Sequence, residues 1–135
     1  MLGRLNHVAI AVTDLKSATN TYRDILGAKV GEPLDQPEHG VTVVFIELPN
    51  TKVELITPLG ENSPIFNFLN KNKNGGIHHI CYEVKNLELS MNILIKNNYK
   101  IIGGNPKIGA HGKPVIFLHP SGFDGTLIEL QEEWN

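Results

Sequence analysis

Two stretches of this chain read as copies of one another, and a duplication of that length leaves few folds open to it. Leu5-Asn6-His7-Val8-Ala9-Ile10-Ala11-Val12-Thr13-Asp14-Leu15 aligns without a gap on Ile77-His78-His79-Ile80-Cys81-Tyr82-Glu83-Val84-Lys85-Asn86-Leu87, so that His79 falls on His7. Farther along, Lys52-Val53-Glu54-Leu55 matches Leu127-Ile128-Glu129-Leu130, at nearly the same interval, and Glu129 falls on Glu54. A unit of about half the chain is repeated, and each copy delivers one His and one Glu. Two imidazoles and two carboxylates related by an approximate twofold make a plausible divalent-metal site.

Both copies spell the same order of elements. Residues 5 to 12 alternate as a strand, with Val8, Ile10 and Val12 on one face and Leu5, His7, Ala9 and Ala11 on the other. Thr13 or Asp14 caps a helix with apolar positions Leu15, Ala18, Tyr22, Ile25 and Leu26, which Gly27 stops. Strands are expected at about 28 to 34, 41 to 48 and 52 to 57, followed by a short linker helix started by Ser63 and Pro64 and ended by the Lys71-to-Gly76 loop. The second copy repeats the scheme with a strand at about 77 to 84, a helix near 87 to 97, and strands near 100 to 103, 114 to 118 and 125 to 131. Each half is then βαβββ and exposes an apolar sheet face it cannot bury alone. The expected fold is α+β: two tandem modules forming one curved mixed sheet around the metal site, with the helices outside. A single domain over 1–135 is expected, with repeat one at about 4–60, the linker helix at about 63–74 and repeat two at about 76–133.

Alternation also decides which residues share the site. His79 takes the register of His7, whereas His78 points to the packing face. Glu54 lies between Val53 and Leu55, and Glu129 between Ile128 and Leu130, so both carboxylates turn to the face of the histidines. A lone His in a strand is usually a hydrogen-bonded structural residue, and a lone Glu between apolar residues usually a solvated one. Matched positions in both repeats change that reading, and His7, His79, Glu129 and Glu54 are the expected metal ligands. Imidazoles and carboxylates with open positions suit a six-coordinate divalent ion, cobalt first, with nickel, zinc or manganese as alternatives. There is no CxxC or HExxH pattern, which argues against a structural zinc or a metalloprotease. Cys81, the one cysteine, reads as packing, and His39, His111 and His119 lack repeat partners and read as loop residues.

Charge narrows the function classes. Twelve basic against 14 acidic residues give a formal charge of −2 without a long run of either sign, which argues against a nucleic-acid or membrane-surface role. No apolar run approaches the ~18 residues of a membrane span, and the N-terminus enters a strand pattern without a signal peptide. A cytoplasmic protein is expected, or a mitochondrial-matrix one if a transit peptide has been removed.

With these motifs the chain resembles the vicinal oxygen chelate superfamily, which includes glyoxalase I, extradiol dioxygenases and antibiotic-sequestering proteins. Within it the chain is similar to the methylmalonyl-CoA epimerases along essentially its whole length. The matching segments are Leu5–Ala9, Pro37–Val41, Val53–Leu55 with Pro58–Gly60 and Ser63–Ile65, Gly75–Ile80, Lys107–Val115, Phe117–Pro120 and Leu127–Leu130. The two-His, two-Glu frame is shared by the superfamily; the Gly109-to-Pro120 stretch and the double His after Gly76 favour the epimerases.

The resemblance implies interconversion of the C2 epimers of methylmalonyl-CoA by proton transfer through a metal-stabilised enediolate, the metal chelating the thioester and carboxylate oxygens. Inversion needs a base on one face of C2 and an acid on the other. Some epimerases carry a glutamate where this chain has Val43, and a glutamine where it has Glu54. Val43 cannot move a proton, so Glu129 and Glu54 are the expected catalytic pair, with Glu54 either a ligand or the second acid/base, and Glu47 a weaker candidate. Lys113 and Lys107 are candidate contacts for the CoA phosphates. The resemblance also suggests a homodimer with an acyl-CoA as its binding partner. Competing readings are a glyoxalase I-type lyase, slightly favoured by Glu54 and disfavoured by the loops, and a non-catalytic small-molecule binder, disfavoured by retention of all four ligands.

Overall fold

The computed structural model describes residues 1–133 and has a mixed α+β fold. It divides into two compact units, one of His7–His78 and one of Met1–Asn6 with the chain from His79 onward. The strand β1, Leu2–Ala11, gives its first half to the latter and its second half to the former.

In the unit His7–His78, β1 leads to the helix α1, Leu15–Asn20, whose cap is Asp14: its side chain accepts the backbone N–H of Ser17 at 3.0 Å. A π turn, Thr21–Ile25, extends the helix. The expected apolar stripe is corrected here. The N–H of Leu26 reaches back five residues to the carbonyl of Thr21, which adds a residue to the turn and rotates the end of the helix out of phase. Ile25 and Leu26 are thereby left 78% and 64% exposed.

The strand expected over 28 to 34 is split into β2, Lys29–Val30, and β3, Leu34–Gln36; Pro33 between them has no N–H to give to a ladder. Then come β4, Val41–Glu47, and β5, Lys52–Pro58. Strand order in this unit is β2-β4-β5-β1, with β3 also on β4. The pair β1–β5 is parallel with Ala9 opposite Glu54, and β4–β5 is antiparallel with Phe45 opposite Glu54.

The linker helix α2, Ile65–Lys71, starts where Ser63 Oγ accepts the N–H of Ile65 at 3.3 Å. One face of the sheet packs Val44, Ile46 and Leu55 against Leu15, Ala18 and Tyr22. The other face, bearing His7 and Glu54, packs Ala9, Ala11, Val41, Val43 and Ile56 against Ile65, Phe68 and Leu69 of α2. Gly75 closes the linker with φ +83°; a Cβ there would lie 2.5 Å from the Ala11 carbonyl oxygen, so glycine is required.

The other unit repeats the frame. It contains β6, Gly76–Val84, from His79 on, and α3, Leu87–Lys96. Asn86 caps α3 by accepting from Leu89 N–H at 2.9 Å, and its φ −136° and ψ 101° are those of Asp14. Three strands come after it: β7, Ile101–Ile108; β8, Pro114–Leu118; and β9, Ile128–Glu132. Their order is β1-β6-β9-β8-β7. The pair β6–β9 is parallel with Cys81 opposite Glu129, and β8–β9 is antiparallel with Phe117 opposite Glu129. The core under α3 is Val84, Leu87, Leu94, Ile116, Leu118, Ile128 and Leu130.

Two further expectations change. β7 runs to Ile108 with an irregular register between Ile102 and Lys107, so Lys107 lies in a strand rather than a loop. β9 begins at Ile128 rather than 125, because the chain first turns at Gly125, φ +79°.

Candidate metal centre

Each unit brings its own His to its own Glu. In the unit His7–His78, His7 Nε2 lies 3.0 Å from Glu54 Oε2, with side chains 3% and 6% exposed. In the other, His79 Nε2 lies 3.1 Å from Glu129 Oε1, each side chain 8% exposed. Parallel pairing of β1 with β5 and of β6 with β9 carries each Glu alongside the strand of its His, and the two-residue side-chain period turns both inward.

The donor set tests whether a cation belongs here. An ionised carboxylate beside a neutral imidazole leaves net negative charge out of water, which a bound cation offsets. Ligands held ~2.1 Å from one octahedral ion lie about 3.0 Å apart along each edge, and both His–Glu separations match such an edge. The residues fit a divalent ion.

Beyond the pairs the two faces differ. In the unit His7–His78 the face continues through Ala9, Ala11, Val43 and Ile56, all buried. Val43 is 1% exposed, an apolar side chain with no proton to transfer. Glu47 ends β4 and is exposed. In the other unit the face continues through Cys81, Glu83 and Gln131, all buried. Glu83 accepts from Asn6 Nδ2 at 2.9 Å and from Arg4 Nε at 3.2 Å. Gln131 Nε2 donates to Glu133 at 3.1 Å, and Lys113 pairs with Glu133. Of the two lysines expected at CoA phosphates, Lys113 is thus engaged by a carboxylate and Lys107 is exposed on β7.

Two residues at these pairs went unread in the sequence. Phe45 and Phe117 each stand directly opposite the Glu of their unit, and Phe117 sets its ring edge-on to His79 with centroids 5.3 Å apart. The repeat carried the signal, because Phe117 follows Phe45 at the same interval as His79 follows His7. Asn6, by contrast, carried no signal, because its partner Glu83 is 77 positions away.

Residues 6–117 match the Glyoxalase/Bleomycin resistance protein/Dioxygenase superfamily. The chain belongs to that superfamily. Among its members, an ethylmalonyl-CoA/methylmalonyl-CoA epimerase of Cereibacter sphaeroides is 61% identical over 98% of this chain and 99% of its own. The mitochondrial methylmalonyl-CoA epimerase of Bos taurus is 57% identical over 97% of this chain and 75% of its own. A solved superfamily structure, a variant of Streptomyces coelicolor methylmalonyl-CoA epimerase in complex with 2-nitronate-propionyl-CoA, superimposes with a TM-score of 0.91 at 26% identity, covering 98% of this chain and 99% of that one. No helix among the described residues is long and apolar enough to cross a membrane.

Proposed function

We propose that this chain is a methylmalonyl-CoA epimerase, an isomerase that interconverts the two configurations at C2 of its acyl-CoA substrate. The observation that carries the reading is 61% identity sustained over 98% of this chain and 99% of the Cereibacter relative. That relative's name supports a substrate range that includes ethylmalonyl-CoA.

In this reading both units act as one domain over 1–135, and His7, His79 and Glu129 would hold one divalent ion, with Glu54 either the fourth ligand or just outside bonding distance as the second acid/base; the ion is cobalt first, with nickel, zinc or manganese as alternatives. The ion supplies Lewis-acid stabilisation of the negative charge that develops on the substrate oxygens. Glu54 and Glu129 handle the proton. One carboxylate takes the C2 proton from its face while the C–H electron pair moves into the thioester carbonyl. The other, protonated, returns a proton to the opposite face as the carbonyl re-forms. The net change is inversion at C2, with one carboxylate newly protonated and the other newly ionised.

Lys107 and Lys113 are proposed as contacts for the CoA phosphates, Lys107 from its exposed position on β7 and Lys113 by exchanging its carboxylate partner Glu133 for a phosphate. A homodimer and a cytoplasmic location, or the mitochondrial matrix in keeping with the bovine relative's mitochondrial name, complete the reading.

The test is turnover of one epimer of methylmalonyl-CoA beside turnover of the methylglyoxal–glutathione hemithioacetal. Epimerisation without lyase activity is expected. Lyase activity without epimerisation would overturn the reading in favour of a glyoxalase.

A further inference from the structure

In the unit that runs from His79 onward, the sheet face bearing His79 and Glu129 continues along β9 to a charged pair at its end. Side chains on one face of a strand recur at every second position, so Gln131 and then Glu133 follow Glu129, the latter about 13 Å along. Glu133 is fixed through both backbone and side chain. Its N–H donates to the Val84 carbonyl at 2.9 Å. Its carboxylate takes two donors of different kinds, the buried amide of Gln131 at 3.1 Å and the ammonium of Lys113. The Lys113 side chain is 29% exposed and that of Glu133 19%, so an anion from solution can reach a pair that water screens only in part. The backbone of the lysine is held as well. Its carbonyl accepts the N–H of Gly109 at 2.9 Å, and the Gly109 carbonyl accepts that of Gly112 at 3.0 Å, which closes a turn just ahead of β8. Only the side chain of Lys113 is left to move, a flexible stem carrying a point charge.

We infer that Glu133 sets how tightly the nucleotide end of the acyl-CoA is held, by competing with its diphosphate for Lys113. The inference rests on the epimerase reading and on Lys113 as a contact for the CoA phosphates. Exchange costs little on the carboxylate side, because Gln131 keeps one oxygen of Glu133 hydrogen-bonded after the ammonium has left, whereas a half-buried carboxylate stripped of every donor would bear its full desolvation. On the lysine side one carboxylate is replaced by a diphosphate of greater negative charge. A singly charged anion gains nothing over Glu133 and leaves the pair closed. The competition also suits the reaction. Substrate and product of an epimerisation carry the same CoA, so a grip on that end holds both alike, lowering KM without raising kcat. Glu133 limits that grip and lets the product go.

The experiment measures KM for methylmalonyl-CoA and for methylmalonyl-pantetheine, the same thioester cut short of the diphosphate, in the wild type, Glu133→Gln, Lys113→Met and the double variant. The quantity read is the ratio of the two KM values, pantetheine over CoA. Glu133→Gln is expected to raise it about two- to fivefold, the worth of a partly exposed ion pair. Lys113→Met should lower it about tenfold or more. The double variant should have the ratio of Lys113→Met, because Glu133 acts only through Lys113. A substitution that merely loosens the end of β9 moves both KM values together and leaves their ratio as it was. A ratio that fails to rise in Glu133→Gln, or that rises as much when the same change is made on Lys113→Met, overturns the inference alone. A wild-type ratio in Lys113→Met overturns Lys113 as a phosphate contact and the inference with it. A wild type that turns over neither thioester overturns the epimerase reading as well.

Discussion

In the unit His7–His78 the sheet face that bears His7 and Glu54 runs on into Ala9, Ala11, Val43 and Ile56 and is buried by Ile65, Phe68 and Leu69 of α2. In the other unit the face that bears His79 and Glu129 runs on into Glu83 and Gln131, tied to Arg4, Asn6 and Glu133 by hydrogen bonds. Both units keep the same strand pairings, nearly equal His–Glu separations of 3.0 and 3.1 Å, and helix caps of identical backbone geometry. What they do not keep is the means of burying that face. In the unit His7–His78 the apolar side chains find cover beneath α2. The second copy solves the same problem with polar groups that satisfy one another. Duplication therefore preserves the His–Glu pair while the surroundings of the pair diverge.

Equivalence of the two pairs is tested most severely at the histidines. His7→Ala and His79→Ala should each abolish epimerisation and lower bound metal, measured by elemental analysis, to a small fraction of the wild-type content. Chelator should do the same to the wild type, with activity restored by cobalt or nickel. Full metal content in either variant would break the comparison, because one unit would then hold the ion unaided.

The carboxylates come next. Glu54→Gln and Glu129→Gln should each lower kcat by about 10² to 10⁴, while exchange of the C2 proton with solvent, tracked in deuterium oxide by NMR, continues from the surviving face. Metal content must be measured beside the rate. Normal epimerisation by Glu54→Gln with normal metal would remove Glu54 from the proton path.

Stability should expose the different means of burial. Ile65→Ala empties part of the apolar cluster beneath α2 and should cost about 2 to 5 kcal/mol. Asn6→Ala deprives the buried Glu83 carboxylate of a donor and should cost about 1 to 3 kcal/mol. Both are read from denaturant midpoints. An Asn6→Ala protein of wild-type stability would mean that the remaining contacts of Glu83, that from Arg4 among them, satisfy it. The smallest effects belong to the caps, Asp14→Ala and Asn86→Ala, each about 1 kcal/mol. Their equality would sharpen the comparison, and a clear difference would separate two helices whose caps have the same geometry.

What the sequence determined by itself was whatever repeats at short range. A two-residue alternation placed His7 with Ala9, and His79 with Cys81, on inward faces, and assigned Glu54 and Glu129 to those faces before any strand pairing was known. Asp14, offered together with Thr13, announced its helix because a cap acts on an N–H three residues away; Asn86, which has the same role in the other unit, was not singled out. The ligand candidates were legible because the duplication printed each twice. Three features were decided only by tertiary structure. The π turn shifted Ile25 and Leu26 out of the helical phase, and a periodicity argument assumes that phase is constant. The choice of face for α2 depended on which surface the sheet had left uncovered, a property of the assembled strands rather than of residues 65 to 71. The bond from Asn6 to Glu83 joins residues 77 apart, and nothing near either one specifies the other, because such a pairing exists only once the backbone has carried both into one buried layer.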